Sequence, residues 1–403
     1  MAPRAILRPG TILLVAVAVL VAAGLPAPAA ATTGFTPVMD MDEQTYLGFG
    51  GGLYENGSNA IPSDHNAAGA ARTAAVQPLD GSGNPSPGGK IVLLSAGMSN
   101  TTQEFCSANS ALPCNAWTLM GKAALDARVN HTTLAIVNGA AGGQTAATWD
   151  APTDANYDRV RDTRLTPQGL SEAQVQAVWL KVANPVPTAS LPSPSADAYT
   201  LETQMGNIVR ALRVRYPNVK LVFLSSRIYA GYATTTLNPE PYAYESGFAV
   251  KWLIQAQIDQ MRNSGNVVDA RAGDLNLNAG APWIAWGAYL WADGTTPRAD
   301  GLVWEPGDLA ADGTHPSASG QGKAGDMLLD FFTTSPYATP WFCVSGECIA
   351  GAVGGLTELS DTDAVDRAGA QATDGDRDRL AALVAAAAVA LAGTAWLGRR
   401  RVR

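Results

Sequence analysis

The scarcity of histidine narrows the chemistry available to this chain. Three histidines occur in 403 residues, and His65 and His131 occupy positions typical of structural or exposed side chains. His315 differs, because it closes an Asp-Gly-Thr-His turn that begins at Asp312, directly before a predicted helix. A carboxylate three residues before an imidazole can reach the ring, fix its tautomer and stabilise the imidazolium formed when the ring accepts a proton. The pair predicts general-base chemistry, although a chance turn would have the same spacing.

A serine that could supply that proton follows the first predicted strand. Ser99 lies in the segment Gly-Met-Ser-Asn, just beyond the apolar run of residues 90–95. A serine at this point is well placed as a nucleophile, and its own N–H can help to bind an oxyanion. The position alone fits a helix N-cap equally well.

Two further groups of hydrogen-bond donors follow the next predicted strands. The glycine-rich loop 138–145 lets the backbone approach a ligand and point an N–H at it. Asn184 follows the third strand, and its side-chain amide could be another donor. Each is an ordinary loop feature when taken separately. Serine, glycine, asparagine and the Asp-x-x-His pair nevertheless occur in order at successive strand ends, which favours one common site.

The elements that must position these residues alternate between strands and helices. Short apolar runs predict buried parallel strands at 90–95, 134–137, 175–180 and 219–224, with a weak fifth at 266–269. Helical patterns lie at 116–127, 201–216, 247–262 and 317–332. The predicted fold class is α/β, with a mostly parallel sheet of about five strands covered on both faces. Reactive groups in such sheets gather where strands end.

Residues 90–332 resemble the SGNH/GDSL hydrolase superfamily, whose four sequence blocks carry Ser, Gly, Asn and His in that order. The Gly-Met-Ser-Asn segment is most similar to the Gly-Gln-Ser-Asn of the sialate and acetylxylan esterase branch. The resemblance implies a three-layer, flavodoxin-like α/β/α fold and ester hydrolysis without a metal or cofactor. It assigns Ser99 as the nucleophile, Asp312 and His315 as the rest of a triad, and Ser99, Gly143 and Asn184 as the oxyanion hole.

The third block departs most from the family pattern. Val182 and Ala183 precede Asn184 where glycine is common, and Pro185 follows it where aspartate is common. Asn184 is therefore the least well matched of the oxyanion donors. Asp308, in the loop before Asp312, is the alternative acid for His315.

Composition excludes several classes of protein. The net charge of −8 and the clustering of arginines at the extreme C-terminus disfavour a nucleic-acid partner. The pairs Cys106 with Cys114 and Cys343 with Cys348 predict two local disulfides in an exported chain, and neither has the spacing of a zinc site. The sequence contains no Gly-x-Ser-x-Gly elbow and no His-Glu-x-x-His motif, so an α/β-hydrolase and a zincin are disfavoured.

The ends of the chain predict export and tethering. A basic start, an apolar run and small residues indicate a signal peptide, with an uncleaved anchor as the alternative. An uncharged apolar stretch followed by arginines predicts a transmembrane helix with its end in the cytoplasm, with a buried helix or a clipped sorting tail as alternatives. The predicted segments are a signal peptide at 1–31, a loop-rich covering segment at 32–89, the hydrolase domain at 90–350, an acidic linker at 351–379, the membrane helix at 380–397 and a basic tail at 398–403.

The substrate is the least constrained part of the prediction. Aromatic residues cluster at 283–304 and at 229–244, and exposed aromatic faces suit sugar rings. Together with export, this pattern favours an ester, and an O-acetyl ester in particular, on a carbohydrate or a cell-envelope polymer. A lipid esterase is the nearest alternative enzyme, and a surface carbohydrate-binding or adhesion module without turnover is the alternative of a different class.

Overall fold

The computed structural model describes residues 32–107 and 112–348. A short antiparallel pair and a five-stranded sheet account for its strands, which are β1 Thr45–Tyr46, β2 Phe49–Gly50, β3 Ile91–Gly97, β4 Leu134–Asn138, β5 Val175–Lys181, β6 Leu221–Leu224 and β7 Trp283–Trp286. The helices are α1 Ser63–Ala74, α2 Ser99–Phe105, α3 Leu119–Ala123, α4 Ala155–Val160, α5 Asp197–Arg215, α6 Tyr242–Arg262, α7 Ala318–Thr334 and α8 Thr339–Phe342.

The large sheet is parallel throughout, in the order β4-β3-β5-β6-β7. Every residue of β3, β5, β6 and β7 is buried, which is typical of strands covered by helices on both faces. The helices contact one another in two groups: α5 with α6, and α7 with α2, α3 and α8, the last of which also contacts α1. The predicted α/β class and its parallel sheet are therefore confirmed.

The strand order creates a crevice beside β3. The chain passes from β3 to β4 on one side and then returns to β5 on the other side. The loops that leave β3 and β4 therefore diverge from the loop that leaves β5, and ligands of open α/β sheets bind at such a switch point. This topology brings the ends of the first three strands of the sheet to one place.

The fifth strand is not where the sequence predicted it. Residues 266–269 form no strand, and Val267 and Val268 are about half exposed, at 48% and 47%. The edge strand is instead Trp283–Trp286, which is fully buried. Aromatic side chains fit a pleated, packed surface well, whereas two isolated valines after a polar turn provide no buried face. The predicted helix at 116–127 is also shorter, and spans only Leu119–Ala123.

The segment 32–89 covers the sheet but is more ordered than predicted. It contains helix α1, which contacts β6, β7 and α8. His65 of this helix is fully buried, stacks on Trp283 with ring centroids 5.1 Å apart, and makes a 2.8 Å hydrogen bond from Nε2 to the Ile284 carbonyl oxygen. Burial lowers the pKa of His65 to about 4. Its predicted structural role fits these contacts.

The predicted segments at the two ends lie outside the described residues. These are the signal peptide at 1–31, the linker at 351–379, the membrane helix at 380–397 and the basic tail at 398–403. Within residues 32–107 and 112–348, no helix has both the length and the apolar character needed to cross a bilayer.

Candidate active site

Ser99, His315 and Asp312 form a continuous hydrogen-bonded chain. Ser99 Oγ lies 2.8 Å from His315 Nε2, and His315 Nδ1 lies 2.5 Å from Asp312 Oδ2. The carboxylate can only accept, so the proton belongs on Nδ1, and Nε2 is left to accept from the serine hydroxyl. Residues 216 positions apart in sequence are thus joined in the order that general-base activation of a serine requires.

Gly97 brings the end of β3 close enough to β5 to place Ser99. Its φ is 151°, and a Cβ at this position would collide with the carbonyl oxygen of Lys181 and with the Thr101 side chain. The Thr101 hydroxyl donates to that same carbonyl over 2.6 Å and accepts from the Met98 N–H over 3.2 Å. These bonds fix the turn from which helix α2 begins at Ser99.

A tight turn holds Asp312 against the imidazole. Asp312 Oδ1 accepts the backbone N–H groups of Thr314 at 2.9 Å and His315 at 3.0 Å. Gly313 has φ of 64°, and a Cβ there would collide with the carbonyl of Tyr232. Burial opposes ionisation of Asp312, but hydrogen bonds from the His315 backbone and ring and from the Thr314 backbone outweigh it and lower its pKa.

The alternative acid, Asp308, faces other partners. It forms an ion pair with Lys323 and accepts a hydrogen bond from the Ser319 hydroxyl at 2.6 Å. Both carboxylate oxygens of Asp308 are therefore engaged on the side of helix α7. Of the two candidate acids, Asp312 is the one that contacts the His315 ring.

Two backbone N–H groups beside the serine have no acceptor among the described residues. Ser99 is the first residue of α2, so its N–H precedes the intrahelical ladder. Gly143 has φ of 75° in the loop after β4, its N–H is likewise without an acceptor, and a Cβ on it would meet nothing within 4 Å. Both residues line the same cavity as His315. Two N–H donors without an acceptor beside a serine hydroxyl are groups that could bind an oxyanion.

Asn184 lines this cavity, but its amide nitrogen donates hydrogen bonds to other side chains. Nδ2 donates to Asp197 Oδ1 at 3.1 Å and to Gln204 Oε1 at 2.8 Å. An amide has only two N–H donors, so both are occupied by side chains of helix α5. The structure therefore brings Asn184 to the site without leaving its amide free to donate into the cavity.

The cavity next to Ser99 has a volume of about 330 Å³. Its walls come from the loops after β3, β4, β5 and β6 and from the turn that carries His315. No residue of the 32–89 segment lines it, so that segment covers the sheet away from the cleft. Sequence reasoning missed the lining residues that follow the fourth strand of the sheet, which are Arg227, Leu237 and Asn238. The rule that strand ends carry function would have selected Arg227, had buried arginines been considered.

Most of the aromatic residues that were predicted to bind a sugar belong to the core. Trp283, Trp291 and Trp304 have no exposed surface, and Trp286 and Tyr289 have 2% and 5%. The tyrosines at 229 and 244 are equally buried. Tyr232 and Tyr242 are half-buried, whereas the other seven side chains offer no exposed face to a sugar ring, so most of the two clusters give no support to a carbohydrate substrate. Large aromatic side chains supply most of the packing around the edge strand instead.

Both predicted disulfides are present. Cys106 is bonded to Cys114, and Cys343 to Cys348, with Cα atoms 4.5 Å and 6.0 Å apart. The first bridge lies at the C-terminal end of α2, the helix that begins with Ser99. It ties the end of that helix to the loop before α3.

No family model and no curated relative matches this chain. Three solved structures to which it is similar are an extracellular lipase from Streptomyces rimosus, an acetyl-xylooligosaccharide esterase from Geobacillus Stearmophilus and a carbohydrate esterase family 2 enzyme with a carbohydrate-binding domain from Corynascus thermopiles. The identities are 14%, 16% and 15%, and the TM-scores are 0.28, 0.31 and 0.28. The matches cover 58%, 59% and 60% of this chain and 96%, 94% and 65% of the other chains, respectively.

Proposed function

We propose that this chain is a serine ester hydrolase. The observation that carries the proposal is the hydrogen-bonded chain from Ser99 through His315 to Asp312, of which Ser99 and His315 line a cavity. A binding module has no need for a serine that shares its proton with a carboxylate-oriented imidazole. The resemblance of the sequence blocks to SGNH/GDSL hydrolases supports the same reaction class.

In the proposed mechanism, His315 Nε2 takes the hydroxyl proton as Ser99 Oγ attacks the ester carbonyl carbon. The carbonyl oxygen becomes an oxyanion that accepts the N–H groups of Ser99 and Gly143. Asp312 stabilises the imidazolium, which then gives its proton to the departing alcohol. Water, activated by the same imidazole, attacks the acyl-enzyme and releases the acid and the free serine.

The proposed substrate is a small acyl ester, such as an acetyl ester, on a carbohydrate or cell-envelope polymer. Small residues on the cavity wall, namely Gly142, Gly143 and Ala183, leave space for a short acyl group. The assignment of a polymeric substrate rests on the predicted export of the chain and on the sequence resemblance, since most of the clustered aromatic residues are buried. A lipid ester remains the alternative, and tethering through the C-terminal helix remains a prediction.

Labelling of the purified protein with a fluorophosphonate tests the proposed reaction. An activated serine reacts, and Ser99→Ala abolishes both the label and the hydrolysis of p-nitrophenyl acetate. Ser82→Ala is a matched control, because Ser82 is exposed and lies outside the cavity. A protein that stays unlabelled and hydrolyses none of a panel of acetylated glycans and short- to long-chain acyl esters would instead be a binding module.

A further inference from the structure

One charged side chain at the cavity has no role in the mechanism above. Arg227 follows strand β6, lines the cavity beside Ser99, and is only 1% exposed. Its Nε and Nη2 atoms are buried and have no hydrogen-bond partner among the described residues. Apart from His315, no other lining residue within the described part of the chain has an ionisable side chain.

The carboxylates around Arg227 are engaged with other groups. Glu104 accepts from Lys181 Nζ through both oxygens, each at 2.6 Å. Glu240 accepts two backbone N–H groups and one indole N–H. Asp312 is occupied by the imidazole and two backbone N–H groups. These acids attract Arg227 at longer range, but none of them forms an ion pair with it.

A guanidinium remains protonated at any pH at which an esterase works, even though burial lowers the pKa of Arg227. The backbone N–H of Arg227 donates to the Ser246 hydroxyl at 3.1 Å, which fixes the residue where it leaves the strand. A positive charge fixed in a largely water-excluded site interacts more strongly with a developing negative charge than it would in water. Because the guanidinium is already in place, the protein would not have to reorganise as the negative charge develops.

The oxyanion hole expected from the sequence lacks its third donor. The two N–H donors of the Asn184 amide are held by Asp197 and Gln204, so only the backbone groups of Ser99 and Gly143 remain. We propose that Arg227, rather than the Asn184 amide, is the third group that stabilises the tetrahedral oxyanion. This inference rests on the proposed hydrolase function and extends it to a residue outside the four sequence blocks.

The alternative for a buried arginine in a substrate cavity is recognition of a carboxylate that the substrate carries in its ground state. The occupied Asn184 amide favours the transition-state role, because it leaves the oxyanion with fewer donors. The two roles affect different kinetic constants. A group that acts only in the transition state changes kcat, whereas a group that binds a substrate carboxylate changes KM for esters with that carboxylate.

The test compares Arg227→Met, Arg227→Lys and Asn184→Ala in the full chain, with p-nitrophenyl acetate and mono-p-nitrophenyl succinate as neutral and anionic substrates. Arg227→Met should lower kcat by about 10²–10³-fold for both esters, with KM changed by less than about threefold. Arg227→Lys should recover at least about tenfold of that loss because it restores the charge, and Asn184→Ala should change kcat by less than about tenfold. Phenylboronic acid, which forms a tetrahedral anion on an active serine, should bind Arg227→Met correspondingly less tightly.

Three results would overturn the inference. The first is unchanged kcat in Arg227→Met, the second is an effect confined to KM of the succinate ester, and the third is a larger loss in Asn184→Ala than in Arg227→Met. Circular dichroism and thermal melting check that the variants fold. If Arg227→Met does not fold, the affinity for phenylboronic acid is measured on Arg227→Lys instead. Ser99→Ala separates this inference from the proposed function: if it keeps turnover the hydrolase proposal fails, whereas if only Arg227→Met keeps turnover this inference fails alone.

Discussion

The carbonyl oxygen of Lys181 occupies the space into which a Cβ on Gly97 would project. Strands β3 and β5 can approach at their carboxyl ends only because residue 97 has no side chain. The turn that follows β3 then places Ser99 within hydrogen-bond distance of His315. The position of Ser99 is therefore set by a backbone contact between two neighbouring strands.

Gly97→Ala should both destabilise and inactivate the protein. The added methyl group collides with backbone, and the φ of 151° is one that alanine adopts at a cost. We expect a loss of about 2 kcal/mol or more in the free energy of unfolding, measured by urea denaturation, and a kcat reduced by at least about tenfold. Gly88→Ala is the control, since its Cβ would meet nothing within 4 Å. A stable and fully active Gly97→Ala variant would contradict this view of the turn.

The two candidate acids should respond differently to substitution. Asp312→Ala removes the carboxylate that orients the His315 ring, and we expect kcat to fall by about 10³–10⁴-fold. Asp308→Ala breaks its ion pair with Lys323 but leaves that ring untouched, so kcat should stay within about threefold of the parent value. Steady-state hydrolysis of p-nitrophenyl acetate by both variants, each checked by thermal melting, measures the difference. Equal losses of kcat in two folded variants would show that the acid is misassigned.

Burial of His65 predicts a specific loss of stability in acid. Its folded-state pKa of about 4 lies below the ordinary value of 6.5, so between these pH values the unfolded chain binds a proton that the folded chain refuses. Stability therefore falls as the pH drops from about 6.5 to about 4, by a total on the order of 3 kcal/mol. Unfolding titrations at several pH values in this window should show a smaller decline for His65→Gln. His131→Gln is the matched control because its imidazole is exposed, and an identical pH dependence in all three proteins would refute the prediction.

Removing one partner of the buried ion pair between Glu104 and Lys181 should destabilise the protein, whereas removing both partners should cost little stability. Burial raises the pKa of Glu104 and lowers the pKa of Lys181 to about 8, so each group is charged mainly because of the other. Lys181→Met leaves a carboxylate unpaired in the interior, and should cost about 3–5 kcal/mol of unfolding free energy. Adding Glu104→Met should recover most of that loss, as measured in a double-mutant cycle. A double variant no more stable than the single one would mean that packing, not charge, dominates here.

The sequence was sufficient to predict the order of the residues along the site. Ser99, Gly143 and His315 follow or precede regular elements at the carboxyl edge of the sheet, and that position depends on local pattern and on topology. Local pattern could not decide whether Asp308 or Asp312 contacts the His315 ring. The deciding contact is the ion pair between Asp308 and Lys323 of the next helix, which forms only in the folded structure. Local pattern predicts where a side chain starts, but not which partner it reaches.

The features that the sequence did not predict share one physical cause. Asn184 stands where a donor was expected, yet two side chains of helix α5 occupy its amide. A single arginine after an apolar strand suggests an exposed charge, whereas Arg227 is buried beside the cavity. The aromatic run that begins at Trp283 has the composition of a sugar-binding surface, yet its first residues form the buried edge strand. Burial of polar and aromatic groups depends on long-range packing, which a single sequence does not encode in its local periodicity.

The contacts between helix α1 and strand β7 also have a consequence for self-association. An outermost strand normally presents free backbone groups to which another chain can add, but here the Ile284 carbonyl accepts from His65 and the Ile284 N–H donates to the Gln257 side chain at 2.9 Å. At Ile284, side chains therefore make the hydrogen bonds that a sixth strand would make. Helix α1 of the segment 32–89, together with Gln257 of α6, protects Ile284 from intermolecular strand addition, and a chain shortened past Ala74 would leave the Ile284 carbonyl open to pairing with another chain.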